Sequence, residues 1–236
     1  MAKPTRASIV LPGHPHHVIF RGNNRRRICS YPTCYSSFFR ALARGAERHG
    51  CAIHAAQLIR NHGHLVVTPD SVEGLSRFMH SALQRHAVYR NARRGGTGKV
   101  FEERFKSIAI RDAAHEARVY PYVDLNAVKA GIVEHPSLYP WGTYRLLAGD
   151  EASSKVPGWL VTRSRFWLEL GSDDASRAAA YRAIVEAHVA NPLALLEGDE
   201  NAELILRMES ASDPFTRRLE RPDRSCVRED VDDGYR

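Results

Sequence analysis

Apolar and polar residues alternate over positions 8–21, and the alternation ends in the turn signal Gly22-Asn23-Asn24, which predicts a first strand near 16–20. Residues 35–49 (YSSFFRALARGAERH) carry apolar side chains at helical spacing and stop at Gly50, a C′ glycine. Two short apolar runs follow, 51–59 and 62–68, joined by Arg60-Asn61, and the pair predicts a hairpin. A second helix is predicted over 71–91, with Leu75, Phe78, Met79, Leu83 and Val88 on its apolar side. Gly95, Gly96 and Gly98 make a flexible loop before a strand over 100–110 and a third helix over 113–130, which Gly131 stops.

The order strand, helix, strand, strand, helix, strand, with one more helix attached, is that of an α+β, ferredoxin-like split βαβ fold. In that layout the helices pack on one face of an antiparallel sheet. Tyr139-Pro140-Trp141 is placed to close the domain by packing its aromatics back onto it. Beyond Gly149 the character changes. Residues 174–190 predict an amphipathic helix and 200–209 a shorter one, while 221–236 are charged, poor in large apolars and expected to be disordered. The chain therefore divides into a domain at 1–148 and a partly helical extension at 149–236.

Charge sharpens that division. The net charge is +7, but residues 1–150 hold 22 Lys+Arg against 10 Asp+Glu, a net of +12, and residues 151–236 hold 12 against 17, a net of −5. A basic front with clusters at Arg25, Arg26, Arg27, at Arg90, Arg93, Arg94, Lys99, and at Arg104, Lys106 suits a polyanion, and phosphate contacts give salt-sensitive affinity. No run approaches the roughly 18 apolar residues of a membrane span. The N-terminus shows no export signal, so the four cysteines read as reduced thiols in a cytoplasmic protein.

Two spacings could carry chemistry. His62-Gly63-His64 puts two imidazoles on one face of a strand, where they can grip one divalent cation. Tyr122 and Asn126 lie one turn apart on one face of the third helix. Taken alone, the first pair reads better as surface or turn histidines, and Tyr122 as an ordinary half-buried helix tyrosine. His14, His16 and His17 with Cys29 or Cys34 match no zinc-finger spacing.

The runs LPGHPHHVIFRGNNRR (11–26), QLIRNHGHLVV (57–67), VFEERFKSIAI (100–110) and YVDLNAVKAGIVEHPSLYPWGTYR (122–145) occur in that order. Together they resemble the REP-associated and insertion-sequence single-tyrosine transposases over about residues 8–147. The resemblance implies an HUH endonuclease site in which His62, His64 and Asn126 hold Mg²⁺ or Mn²⁺ and Tyr122 is the nucleophile. It implies that His17, Arg21 and Asn23, with Arg25, Arg26, Arg27, Arg104 and Lys106, shape a face for single-stranded or hairpin DNA. Phe20, Tyr89, Phe101 and Phe105 lie near the basic loops, where aromatics can stack on bases. The chain departs from the family at Gly63, which stands where a hydrophobic residue is usual, and at Ala127, which stands where a proline is usual. Ala127 lets the third helix run on.

The expected activity is cleavage and rejoining of single-stranded DNA at hairpins through a 5′-phosphotyrosine, in a nucleoid-associated protein. Two alternatives stand beside it: a domesticated nuclease acting on chromosomal palindromic repeats, and a weakly catalytic hairpin DNA- or RNA-binding protein. Monomer and homodimer are equally open. The acidic extension is expected to lie off the DNA-binding face, or to cover part of it without DNA, so that truncation near Gly149 leaves cleavage intact. The competing expectation is that the 159–170 segment and the 174–190 helix pack on the core.

Overall fold

The computed structural model describes residues 10–102 and 104–209. Four strands, β1 (His16–Arg21), β2 (Cys51–Leu58), β3 (His62–Pro69) and β4 (Lys106–Ala109), form one antiparallel sheet in the order β2-β3-β1-β4. The first and third strands lie side by side in the middle, as a ferredoxin-like split βαβ unit requires. The helices are α1 (Pro32–Arg48), α2 (Val72–Arg94), α3 (Ala113–Asp124), α4 (Asn126–Lys129), α5 (Tyr144–Leu147), α6 (Arg165–Leu168), α7 (Asp174–Glu186) and α8 (Ala202–Glu209). The expected disorder at 221–236 lies outside the described residues.

Local chemistry sets most ends. Ser71 caps α2 by accepting from the Gly74 N–H, and Gly95 closes it in the left-handed conformation at φ 59°. Asp112 caps α3 by accepting from the His115 N–H at 2.7 Å. Trp141 stacks on Tyr35 with ring centroids 4.7 Å apart, and the Tyr139 hydroxyl donates to the Leu58 carbonyl. The strand expected over 100–110 pairs continuously only at 106–109, with an isolated bridge at Phe101. Between the pairs Ile19–Lys106 and Gly22–Phe101, β1 advances three residues and its partner five, so the surplus residues loop out of the ladder.

The expectation of helices on one face is corrected. Period-2 alternation sends Val18, Phe20, Leu65 and Val67 into a core with α1 and α2. It sends Ile19, Val66 and Ile108 into a second core with α3, Phe166, Trp167, Tyr181, Leu195, Leu196 and Met208. All six residues of β1 are therefore buried. The acidic extension, as far as residue 209, supplies much of that second layer, in line with the competing expectation that it packs on the core. The Trp167 indole N–H donates to the Leu147 carbonyl at 3.0 Å.

The helix expected to run over 113–130 breaks at Leu125 (φ −85°, ψ 0°) despite Ala127. The cause lies in the sheet. Gln57 of β2 donates from Nε2 to the Asp124 carbonyl and accepts the Ala127 N–H on Oε1, both at 2.9 Å. A side chain inserted into the backbone ladder bends a helix as a proline does. Gly63 is compensated in a similar way. A Cβ there would lie 2.4 Å from the Phe20 ring and 2.8 Å from Leu58 Cδ2, so the Phe20 ring fills the space.

Burying one large apolar side chain is worth about 1.5–3 kcal/mol, against a typical domain stability of about 5–15 kcal/mol. Removal of Phe166, Trp167, Tyr181, Leu195 and Leu196 together strips the second core. A chain ended after Gly149 is therefore expected to be insoluble or to unfold without cooperativity in thermal melts. A soluble fragment with a sharp melting transition would show the extension to be dispensable.

Candidate active site

β3 is hydrogen-bonded on both edges, which makes it a rigid base for side chains. Its His62 and His64 alternate onto the same face as Val66 and point toward α3 and α4, at 3% and 1% exposure. Tyr122 lies in the last turn of α3 and Asn126 begins α4 across the Gln57-held break, and both reach toward the imidazoles. His62 Nε2 lies 3.0 Å from Asn126 Oδ1, and Asn126 Nδ2 lies 3.2 Å from His64 Nε2. The Tyr122 ring meets the His64 ring edge-on at 6.1 Å. Tyr120, two residues away, packs on Phe166 in the second core instead.

Each imidazole is held from behind. His62 Nδ1 is 2.9 Å from Asn61 Oδ1, and His64 Nδ1 is 2.9 Å from His17 Nε2. Such partners fix ring orientation and leave Nε2 facing inward. In the Nδ1–H tautomer of His62, its Nε2 lone pair and the Asn126 carbonyl oxygen face one another, an arrangement that a cation would resolve. Burial first, then the neighbouring His64, pushes the His62 pKa down to about 3. Burial likewise lowers His64, and lowers His17 further below its ordinary value with His64 beside it. All three rings are thus neutral at neutral pH, the form that binds metals.

Two residues of the site carried no role in the sequence reading. Lys129 donates from Nζ to the Tyr122 hydroxyl at 2.5 Å and lies 4.6 Å from the ring centroid. Seven residues after Tyr122, it was legible as the same helical face two turns on. Glu209, the last residue of α8, was not legible from any local pattern. Its carboxylate accepts from the Tyr122 hydroxyl at 2.7 Å and from Asn126 Nδ2 at 2.8 Å, lies 3.1 Å from His64 Nε2 and pairs with Lys129. Burial opposes its charge, but hydrogen bonding with His64 and the Lys129 ammonium outweigh that and hold its carboxyl below the usual range. Burial, then the Glu209 charge, raises the Tyr122 phenol well above its ordinary value. The donor atoms of His62, His64 and Glu209 lie within 4.8 Å of one another, and with the Asn126 amide oxygen this mixed N and O set fits a divalent cation.

The other expected residues separate into two groups. His17 is buried against His64 and Arg21 is 9% exposed. The Arg21 guanidinium is engaged with Glu102 and with the carbonyls of Arg207 and Met208, so neither side chain faces a polyanion here. Asn23, Arg25, Arg26 and Arg27 form a partly to fully exposed loop in which Asn24 and Arg25 are left-handed, at φ 51° and 57°. Arg104 is exposed and Lys106 half-buried. Phe20 belongs to the core, whereas Phe101, Phe105, Lys99, Arg104 and His80 line an open cleft of about 560 Å³.

With a tyrosine, two strand histidines and an asparagine brought together, sequence comparison adds a family likeness: residues 12–126 match the family described as transposase IS200 like. Over that stretch the chain is similar to the IS200-like transposases. Among solved structures, a REP-associated tyrosine transposase bound to a REP hairpin superposes on it with a TM-score of 0.52 and 18% identity, covering 70% of this chain and 93% of that one. At that identity the likeness speaks for a shared fold. No curated protein sequence matches the chain. The family match ends at Asn126, so Lys129 and Glu209 fall beyond it. Among the described residues no helix is long and apolar enough to cross a membrane.

His17 stands behind His64 and orients its imidazole, so it would be a positioning residue for an ion held there. His17→Phe is therefore expected to weaken Mn²⁺ binding by the whole chain about 10–100-fold, as loss of an outer-shell partner does. Electron paramagnetic resonance titration of free Mn²⁺ reads this directly. Unchanged Mn²⁺ affinity with weakened hairpin binding would return His17 to the DNA contacts.

Proposed function

We propose that the chain cleaves and rejoins single-stranded DNA at hairpin sites through a 5′-phosphotyrosine formed on Tyr122. The observation that carries this reading is the convergence of the Tyr122 hydroxyl with His62, His64 and Asn126 at one buried point of the central strand. Tyr122 Oη attacks the scissile phosphorus in line; the Oη–P bond forms, the bond from phosphorus to the 3′ oxygen breaks, and that oxygen leaves as a hydroxyl after taking a proton. The covalent link conserves the bond energy, so the strand can be rejoined by reversal with another 3′-hydroxyl. A free phenol ionises near pH 10, and the Lys129 ammonium against Oη favours the phenolate that attack requires. His62, His64 and Asn126 would hold Mg²⁺ or Mn²⁺, which polarises the phosphate and neutralises charge developing on its oxygens. Asn23, Arg25, Arg26, Arg27 and Arg104 make the phosphate contacts beside the site, and the Phe101–Phe105 cleft is placed to receive an unpaired base.

Glu209 gives this reading a second part. Its carboxylate is an anion bonded to the Tyr122 hydroxyl, Asn126 and Lys129, which are the groups a scissile phosphate would meet. The arrangement is a closed one, and DNA must displace the end of α8 to reach Tyr122.

A labelled hairpin oligonucleotide incubated with the full chain and Mn²⁺ or Mg²⁺ tests both parts. The wild type should form a denaturation-resistant adduct; Tyr122→Phe and His64→Ala should form none, while Tyr120→Phe should retain it. Glu209→Gln removes the competing anion and should speed adduct formation several-fold. An adduct in EDTA would sink the metal-assisted reading, and slower reaction in Glu209→Gln would make Glu209 a working group rather than a plug.

A further inference from the structure

The basic loop that follows β1 ends at a second cluster of metal-binding side chains, on the opposite face of the sheet from the His62–His64 site. Cys29 closes the loop, Cys34 lies in the first turn of α1, and His86 lies in the middle of α2. They are 0%, 2% and 1% exposed, and their donor atoms lie within 4.8 Å of one another. Cys29 Sγ is 3.9 Å from His86 Nε2, a spacing that two ligands of one tetrahedral ion can adopt. The His86 ring is clamped by stacking on Phe38 with centroids 3.9 Å apart. Its Nδ1 is buried and has no hydrogen-bond partner among the described residues. The Ile28 carbonyl accepts from His86 Nε2 at 2.9 Å and from the Cys34 thiol at 3.6 Å, so an oxygen already sits at the centre of the cluster.

From this geometry we propose that Cys29, Cys34 and His86 form a second metal site, which takes a thiophilic divalent ion of the Zn²⁺ type. Two thiols give up their protons on binding, and two thiolates with one imidazole leave the site neutral around a dication. Burial pushes the Cys29 thiol up and the Arg90 and Arg94 guanidiniums offset only part of that, so the bound ion itself drives off the protons. The Ile28 carbonyl or a water completes four-coordination. The donor sets of the two sites select differently: two thiolates suit Zn²⁺, whereas imidazole with an amide oxygen at the His62–His64 site admits harder ions. Such an ion ties three separate segments together, and Cys29 is two residues from Arg27. It therefore fixes the end of the arginine loop against the helical layer.

Co²⁺ binding to the reduced full-length chain provides the test, because only a thiolate-bound Co²⁺ shows sulfur-to-metal charge-transfer absorption. One such Co²⁺ per chain is expected, displaced by Zn²⁺, lost in Cys34→Ser and retained in the doubly substituted His62→Ala, His64→Ala chain. A second measurement covers misfolding of Cys34→Ser. In the wild type, Zn²⁺ should slow alkylation of Cys29 and Cys34 at least tenfold relative to Cys51, read by peptide mass spectrometry. Co²⁺ bound without charge transfer, equal alkylation rates with and without Zn²⁺, or a Cys29–Cys34 disulfide in the freshly purified chain would each overturn the proposal.

Discussion

The site depends on one side-chain amide. Gln57 spans the gap between the Asp124 carbonyl and the Ala127 N–H, bonds that an unbroken helix would make within itself. It thereby ends α3 at Asp124 and restarts the helix at Asn126, with Tyr122 and Asn126 both turned toward β3. Removing the amide would leave two buried backbone groups without partners, at about 1–3 kcal/mol each. The same break ties in the rest of the molecule. The Asp124 carboxyl accepts from Thr143 and from Tyr181 of α7, so sheet, helix break and C-terminal extension form one buried network.

Electrostatics explains why the site is poised but closed. Its imidazoles are neutral because burial makes their charged forms costly, which frees them to donate lone pairs to a cation. Lys129 brings a positive charge to the Tyr122 oxygen, and Glu209 cancels it. The carboxylate is held by the contacts that an incoming phosphate would need, so the extension uses substrate-like chemistry to occupy the site. Its net charge of −5 over residues 151–236 hinted at interference with a polyanion. Within that stretch it is the Glu209 carboxylate that bonds to Tyr122 and Asn126.

Much of the fold was readable because two periods govern it. Alternation placed the strands and put His62 and His64 on one face, and helical spacing put Tyr122 and Asn126 on another. What escaped reading was tertiary in origin. Ala127 in place of a proline pointed to a continuous helix, and only the approach of Gln57 from another strand breaks it. A one-sided sheet was expected from the split βαβ layout, and Phe166, Trp167, Tyr181 and Met208, scattered among charges, do not read as the second half of a core. Gly63 stands where the family has a hydrophobic residue, and the Phe20 ring that fills its place comes from a neighbouring strand. The resemblance assigned His17 and Arg21 to the DNA-binding face, and each is buried here against a partner distant in sequence, His64 and Glu102. Glu209 borders a charged tail and carries no local signature.

The placement of Tyr122 on the metal-binding face, with Tyr120 packed in the second core, is the claim from which the proposed chemistry follows. Fragmentation mass spectrometry of the peptide that carries the covalent adduct tests it most directly, because both tyrosines lie on that peptide and their fragments separate. The nucleotide mass should reside on Tyr122 alone. A nucleotide on Tyr120, or on a residue outside α3, would contradict it.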